Sequence, residues 1–354
     1  MKVDILVVDD SALLRRVECD IINSDEKFQV TDVCKDGLEA LEKLRTKKYA
    51  GVVLDINMPR MDGLELLKQL QKEGIRSNII VVSTLTVKGA DAAIKALEYG
   101  AIDFVTKPNN IIEAKGTLFK DTLLSVLHAA TRTRITTTTK QTTLSFADKS
   151  SAAAVNRHKR AGHNKVVAIA SSTGGPKSLQ SVIPKLPAGL NAPVVLVQHM
   201  PAGFTKSMAV RLDEMSQVTV KEAEDGDVLK NGVVYIAPGG VHIEVKKKGS
   251  SHVISFNDMP PIGGLKPCAN IMYDSLCNCG YDEVVCVVLT GMGADGTNGI
   301  LSLGKSKPVH VISQNEATCV VYGMPKAIYE SGVVDEVVAL TDVADTITKN
   351  VGVK

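Results

Sequence analysis

The sequence predicts an α/β protein of two doubly wound parallel-sheet domains, the second carrying a β-hairpin insertion. Three observations predict it. Short apolar runs alternate with amphipathic stretches over the first third of the chain; the alternation stops in a segment rich in Thr, Ser and basic residues; it resumes at Lys165. Strands that alternate with helices build a parallel sheet covered by helices on both faces. The boundaries fall at residues 1–123 for the first domain, 124–163 for a flexible linker and 164–354 for the second domain, ordinary sizes for two domains.

The elements follow in order. In the first domain the strand-like runs are VDILVVDD from Val3, FQVTDV from Phe28, GVVLDI from Gly51, NIIVVST from Asn78 and AIDFVTKP from Ala101. Between them SALLRRVECDII and GLEALEKLR have helical spacing. A helix through SVLHAAT closes the domain. TRTRITTTTKQTT and SSAAAVNRHKR lack apolar periodicity and read as an exposed linker. In the second domain the runs are VVAIAS, PVVLVQH, a hairpin-like group of VVYIAP, HIEVKK and HVISF, then EVVCVVLT and PVHVISQ. Pro193 and Pro308 stand just before strands, where a missing N–H is tolerated.

Composition narrows the function. Hydrophobic residues make up 44% of the chain, enough for large cores, and the net charge is +2 with no concentrated basic face. That argues against a dedicated nucleic-acid binder. Seven cysteines are scattered, and Cys277 and Cys279 lie too close for a zinc pair, so reduced thiols are expected. The start MKVDILVVDD has no signal-peptide core, and no apolar run approaches the roughly 20 residues of a membrane span. A cytoplasmic protein without membrane insertion is expected.

The first domain gathers acids at its strand ends. Asp9 and Asp10 end the first run and Asp55 ends the third, and in an open parallel sheet ligands collect beyond the carboxyl ends of the strands. Three adjacent carboxylates need a cation, and Mg²⁺ prefers such oxygen donors. Ser83 offers a hydroxyl after the fourth run, and Lys107 offers a charge suited to a phosphoryl group on a carboxylate. One Asp after a strand is an ordinary turn former or helix cap; it is the set that carries the inference. VVDDS, VVLDINMPRMDG, VST and FVTKP resemble a response-regulator receiver domain over residues 1–120. The resemblance implies that Asp55 accepts phosphate from a histidine kinase. It implies that Asp9 or Asp10, or both, hold Mg²⁺ with Asp55 and the backbone carbonyl of Asn57. Ser83 and Lys107 would sense the phosphoryl group, Phe104 would be the aromatic switch two residues before Thr106, and the Lys107–Pro108 peptide would be cis. Gly63 sits in the turn after the phosphorylation loop.

In the second domain three glycine-bearing turns follow strands: Ser171–Gly175, Ile236–Gly240 and Thr290–Gly296. The last contains G-x-G-x-x-G, with Glu316 about twenty residues on, the outline of a dinucleotide fingerprint. Its late strand and the interior Asp295 count against a pyrophosphate site. A nucleophile site uses more of the sequence, because an alcohol needs a base and the base an orienting acid. Ser172, His199 and Asp295 each lie at or beyond a strand end. Gly174 and Gly175 open a helix beside Ser172, and the amide of Met292 is free to hold an oxyanion. The order differs from the α/β-hydrolases, and no G-x-S-x-G elbow is present. Ser171 is the rival nucleophile and His242 the rival base. His310 reads as a strand residue and His252 as part of the hairpin, while His128, His158 and His163 lie in or beside the linker.

VVAIASSTGGPKSL, VVLVQHMPAGFTKSMAVRL, EAEDGDVLKNGVVYIAPGG and VVLTGMGADGTNGI resemble the chemotaxis protein-glutamate methylesterases over residues 165–350. The resemblance implies Ser172 as nucleophile, His199 as base and Asp295 as orienting acid, with Thr173 and the Met292 amide stabilising the tetrahedral intermediate. It implies γ-glutamyl methyl esters on methyl-accepting chemoreceptors as substrate, glutamine deamidation as a second activity, and no cofactor for the ester chemistry. The partners implied are those receptors and a chemotaxis histidine kinase, with no nucleic acid. Two segments depart from the family pattern: Ala170-Ser171 stands where Gly-Ala is usual, and Leu265–Asn270 replaces an H-R-P-S-V-D-like segment expected to border the substrate groove. The linker would let the receiver rest against the esterase and restrict access to Ser172. The competing readings are a nucleotide-dependent oxidoreductase using Gly291–Gly296 and a non-catalytic receiver-linked adaptor; a transcriptional regulator lacks its recognition helix and basic face.

Overall fold

The structure, a computed structural model, describes residues 2–132, except 109 and 115, and residues 164–354. In the first domain strands β1 (Val3–Val8), β2 (Phe28–Cys34), β3 (Gly51–Asp55), β4 (Ile79–Ser83) and β5 (Asp103–Thr106) alternate with helices α1 (Ala12–Asn23), α2 (Gly37–Thr46), α3 (Gly63–Glu73) and α4 (Val87–Glu98); α5 (Ile111–Ala114) and α6 (Thr117–Arg132) follow. The five strands are parallel in the order β2-β1-β3-β4-β5. β3 and β4 are buried at every residue, as expected of strands covered on both faces. Side chains cap the helix starts: Ser11, Asp36, Asp62 and Thr86 each accept from first-turn amides, and Asp62 with Glu65 forms a capping box.

The second domain holds β6 (Lys165–Ser171), α7 (Gly175–Val182), β7 (Val194–Gln198), α8 (Phe204–Met215), β8 (Thr219–Glu222), β9 (Val233–Ile236), β10 (His242–Lys248), β11 (Ser251–Asn257), α9 (Ala269–Ser275), β12 (Glu283–Val288), α10 (Thr297–Ser306), β13 (Val309–Gln314), α11 (Met324–Glu330), β14 (Glu336–Val338) and α12 (Val343–Val351). Its parallel sheet has the order β14-β13-β12-β6-β7-β9-β8, and β10–β11 stand apart as an antiparallel hairpin. The chain starts at central β6 and winds outward both ways, so the crevice lies at the ends of β6, β7 and β12.

Three readings change. The VVYI run is β9 of the main sheet, paired with β7 and β8, not a hairpin arm; periodicity alone does not tell a short buried parallel strand from a hairpin strand. β8 and β14 were not foreseen, being short, half-exposed edge strands without an apolar run. Helix α6 runs to Arg132, into the segment expected as linker; residues 133–163, with His158 and His163, lie outside the described residues. Among the described residues no helix is long and apolar enough to cross a membrane.

The two domains pack through α4, which lies against α7 and α8. Arg211 of α8 forks onto Glu98 at the end of α4, at 2.5 and 2.9 Å. Phe104 of β5 stacks on Phe204 of α8, centroids 4.6 Å apart and planes 7° apart. This docking sets β5 and the middle of α6 against the carboxyl ends of β6, β7 and β12.

Candidate active site and phosphoacceptor pocket

At the carboxyl end of the first sheet Lys107 Nζ lies 2.8 Å from Asp55 Oδ2 and 3.0 Å from Asp9 Oδ2. Asp9, Asp10 and Asp55 each present an oxygen within 4.8 Å of the others. Burial pushes the Asp9 and Asp55 carboxyls up, against the pull of Lys107. Asp55 Oδ1 is buried with no hydrogen-bond partner. Three hard oxygen donors and one orphaned buried oxygen fit a divalent cation of the Mg²⁺ type. Asn57 is exposed in the loop after β3. The Ser83 hydroxyl donates to Gly89 O of α4 at 2.8 Å, so it faces the helix rather than Asp55. Gly63 has backbone at its door: a Cβ there would lie 2.5 Å from Asp55 O. The cis peptide expected at Lys107–Pro108 is not there; among the described residues the cis bond is Lys266–Pro267, and trans is the default for X–Pro by roughly 0.5–1 kcal/mol. Sequence reading missed Glu18. It sits on the apolar stripe of α1, fully buried with both carboxyl oxygens unpartnered, and burial with Asp9 nearby raises its pKa well above the usual value.

At the carboxyl end of the second sheet the two candidate serines part company. Ser171, last in β6, is buried and donates to Gln198 Oε1 at 2.7 Å. Gln198 Nε2 in turn donates to the carbonyls of Ser172 (3.0 Å) and His199 (3.2 Å), tying the two loops together. Ser172, one residue on, faces a cavity of about 500 Å³ shared with Thr173, His199 and Met292. That alternation is the strand's own.

His199 Nε2 lies 2.8 Å from Asp295 Oδ2. Burial works against the Asp295 carboxylate, but His199, the Ala269 amide and the Cys268 thiol hold it down at about 2. Gly291 is required by crowding: a Cβ there would meet Met324 Sδ at 2.3 Å and Ser172 Cβ at 2.8 Å. Among the described residues the Met292 amide donates to nothing, and no hydrogen bond joins Ser172 Oγ to His199. The rivals are engaged elsewhere. His242 is buried between the Cys268 amide (3.1 Å) and Pro260 O (3.3 Å), His310 binds Glu336, His252 stacks on Tyr281, and His128 binds Asp25. A pyrophosphate at the start of α10 would find its amides already taken, because Asn270 Oδ1 accepts from Gly296 N and Gly299 N at 3.0 and 2.8 Å.

The first domain reaches this cavity directly. Asp103 to Thr106 and Ser125 line its far wall, and Ser125 Oγ donates to Met292 Sδ at 3.2 Å. Asp103 Oδ2 accepts from the Gly174 amide at 2.9 Å. Gly174 is the N-cap of α7, in left-handed geometry and with no capping side chain, so the cap arrives from the other domain. The segment Leu265–Asn270, expected at the substrate groove, divides its work. Leu265 and Lys266 line the cavity, whereas Cys268, Ala269 and Asn270 close around Asp295.

Fold and site together define a two-domain signalling protein, a response-regulator receiver docked on a hydrolase domain. Residues 5–118 match the response regulator receiver domain family and residues 167–347 the CheB methylesterase family, and the chain belongs to the CheB methylesterase family. The protein-glutamate methylesterase/protein-glutamine glutaminase of Pyrococcus horikoshii is 42% identical over 351 residues, covering 99% of this chain and 94% of the relative. The protein of the same description from Thermotoga maritima is 41% identical over 333 residues, covering 94% of each. The solved CheB methylesterase catalytic domain of Thermotoga maritima superposes with a TM-score of 0.51 at 42% identity, covering 52% of this chain and 98% of that one.

Proposed function

We propose that this protein hydrolyses glutamate γ-methyl esters on methyl-accepting chemoreceptors, releasing methanol, and deamidates receptor glutamines in the cytoplasm, under control of Asp55 phosphorylation. The observation that carries the reading is the 2.8 Å contact between His199 Nε2 and the ionised Asp295, beside Ser172 in one cavity. With Nε2–H given to Asp295, Nδ1 is the lone pair left to take the Ser172 proton. Ser172 attacks the ester carbonyl, the Met292 amide and Thr173 receive the developing oxyanion, and His199 returns the proton to the leaving methoxide. Water then attacks the acyl-enzyme with the same base. The Ser172–His199 hydrogen bond forms as substrate binds, since catalytic contacts are often unmade in the resting enzyme.

Regulation uses the docked face. Asp9, Asp10, Asp55 and the Asn57 carbonyl would hold Mg²⁺, which when bound neutralises charge for phosphoryl transfer from a histidine kinase to Asp55. A phosphoryl group on Asp55 redirects Lys107 and Ser83 at the ends of β5 and β4. Phe104 and Asp103 on β5 touch α8 and α7, so the shift loosens the cover over Ser172. Methanol release from methylated receptor tests this. Ser172→Ala should abolish it, Asp55→Asn should keep basal release but lose stimulation by phosphodonor. Release by Ser172→Ala at the wild-type rate would end the hydrolase reading.

A further inference from the structure

Asp295 receives five donors. Oδ2 takes His199 Nε2 and the Ala269 amide (2.6 Å); Oδ1 takes Cys268 Sγ (3.1 Å), the Asn270 amide (3.0 Å) and its neighbour Gly296 N (2.9 Å). Two carboxylate oxygens offer about four lone-pair sites, so this carboxylate has no rotational freedom left. Three of the donors come from one tripeptide, Cys268-Ala269-Asn270. That tripeptide is pinned in turn, since the Cys268 amide donates to His242 Nδ1 and Lys266 O accepts from Gly240 N at 2.9 Å. Asn270 grips both sides of the acid. Its backbone N–H holds Asp295, and its side-chain oxygen caps α10, whose own N-cap Gly296 has no side chain to offer. Burial and the Asp295 charge push the Cys268 thiol up to about 11, so it stays S–H and donates. Neither Cys268 nor Asn270 lines the cavity.

We propose that Cys268 and Asn270 are positioning residues of the hydrolytic site, holding the Asp295 carboxylate at the angle and charge density that His199 requires. This rests on the reading that Asp295 orients His199. Since both act behind the acid, losing them lowers kcat and leaves substrate affinity alone. The thiol also draws charge away from Oδ1; without it the carboxylate pulls harder on the imidazolium, and the acidic limb of the rate profile moves to higher pH.

The test uses the full-length protein with Mg²⁺, acetyl phosphate and methylated receptor, with Ser172→Ala as blank. Cys268→Ala and Asn270→Ala should each lower kcat about 10- to 100-fold, the range for misplacing a catalytic group, with KM changed by less than about twofold. In Cys268→Ala the acidic limb of kcat/KM should shift upward. Cys268→Ser keeps a donor and should restore most of the loss, whereas Asn270→Asp keeps an oxygen for the Gly296 and Gly299 amides but sets a second carboxylate beside Asp295, and should restore less. The downfield proton resonance of the His199–Asp295 hydrogen bond should move in Cys268→Ala and return in Cys268→Ser, whether or not receptor is turned over. Unchanged kcat overturns the proposal. So does an equal loss in the Ala and Ser variants with limb and resonance unmoved. If wild type and Ser172→Ala release methanol equally, the hydrolase reading fails, and the proton resonance alone decides the clamp.

Discussion

At Asp103 one carboxylate serves two domains. It is 6% exposed and accepts from its neighbour Phe104 and from Gly174 across the interface, each at 2.9 Å. Burial raises it from 3.8 to about 6, the two amides pulling the other way. A carboxyl raised in the docked state favours docking when protonated. Its contribution is complete below the ordinary carboxylate value of 3.8 and disappears as pH rises through about 6. Basal ester hydrolysis by the unphosphorylated protein should therefore rise across that window more steeply than in a variant whose residue 103 does not titrate. Asp103→Asn, neutral at every pH, should lose the extra increment; superimposable pH profiles for the two proteins would show that Asp103 does not gate docking. Asp295 behaves oppositely. Held near 2, it stays charged throughout this window and contributes no slope to the comparison. Both carboxylates follow or start a strand in the sequence, and nothing local separates them. What separates them is the company they keep: a basic imidazole in one case, a neutral interface in the other.

At the scale of elements, the site is made where three strand ends open into three turns. Ser172 N donates to Thr290 O at 3.0 Å and His199 N to Ser171 O at 3.1 Å, so neighbouring turns are laced to each other. The turn after β12 is crowded. Gly291→Ala would place its methyl against Met324 Sδ and Ser172 Cβ, and overpacking of this kind costs about 1–3 kcal/mol. The variant should unfold at lower temperature in a thermal melt and lose methanol release out of proportion to that loss, because the Ser172 turn must give way. A melt and a rate both equal to wild type would mean that the turn can relax without moving the serine. The strands and their glycine turns could be read from apolar runs and punctuation. The tying residues Gln198 and Asn270 could not, since an amide after a strand or at a helix start has no sequence signature until its partners are known.

For the whole molecule, the proposed regulation depends on how the two domains sit together. Phe204→Ala removes the stack on Phe104, and Arg211→Ala removes the fork on Glu98; both should raise basal ester hydrolysis several-fold in the unphosphorylated protein, and a fall would show that docking supports the catalytic loops instead of covering them. Chelating divalent cations should block phosphodonor stimulation while basal hydrolysis continues, because the candidate cation ligands lie in the first domain and the proposed hydrolytic residues in the second; loss of basal activity would place a metal in the ester chemistry. By itself, the sequence determined two parallel-sheet domains and their order, and it marked Asp9, Asp10, Asp55, Ser172, His199 and Asp295 as strand-end candidates with Ser171 and His242 still open as rivals, because strand periodicity and strand-end chemistry are local properties of the chain. Only the tertiary structure decided that VVYI joins the main sheet, that Ser171 turns inward while Ser172 meets the cavity, that Cys268 and Asn270 close on Asp295, and that Asp103 caps a helix of the other domain. Each of those is a pairing between residues far apart in the chain, set by which surfaces pack together, and no single segment carries that information.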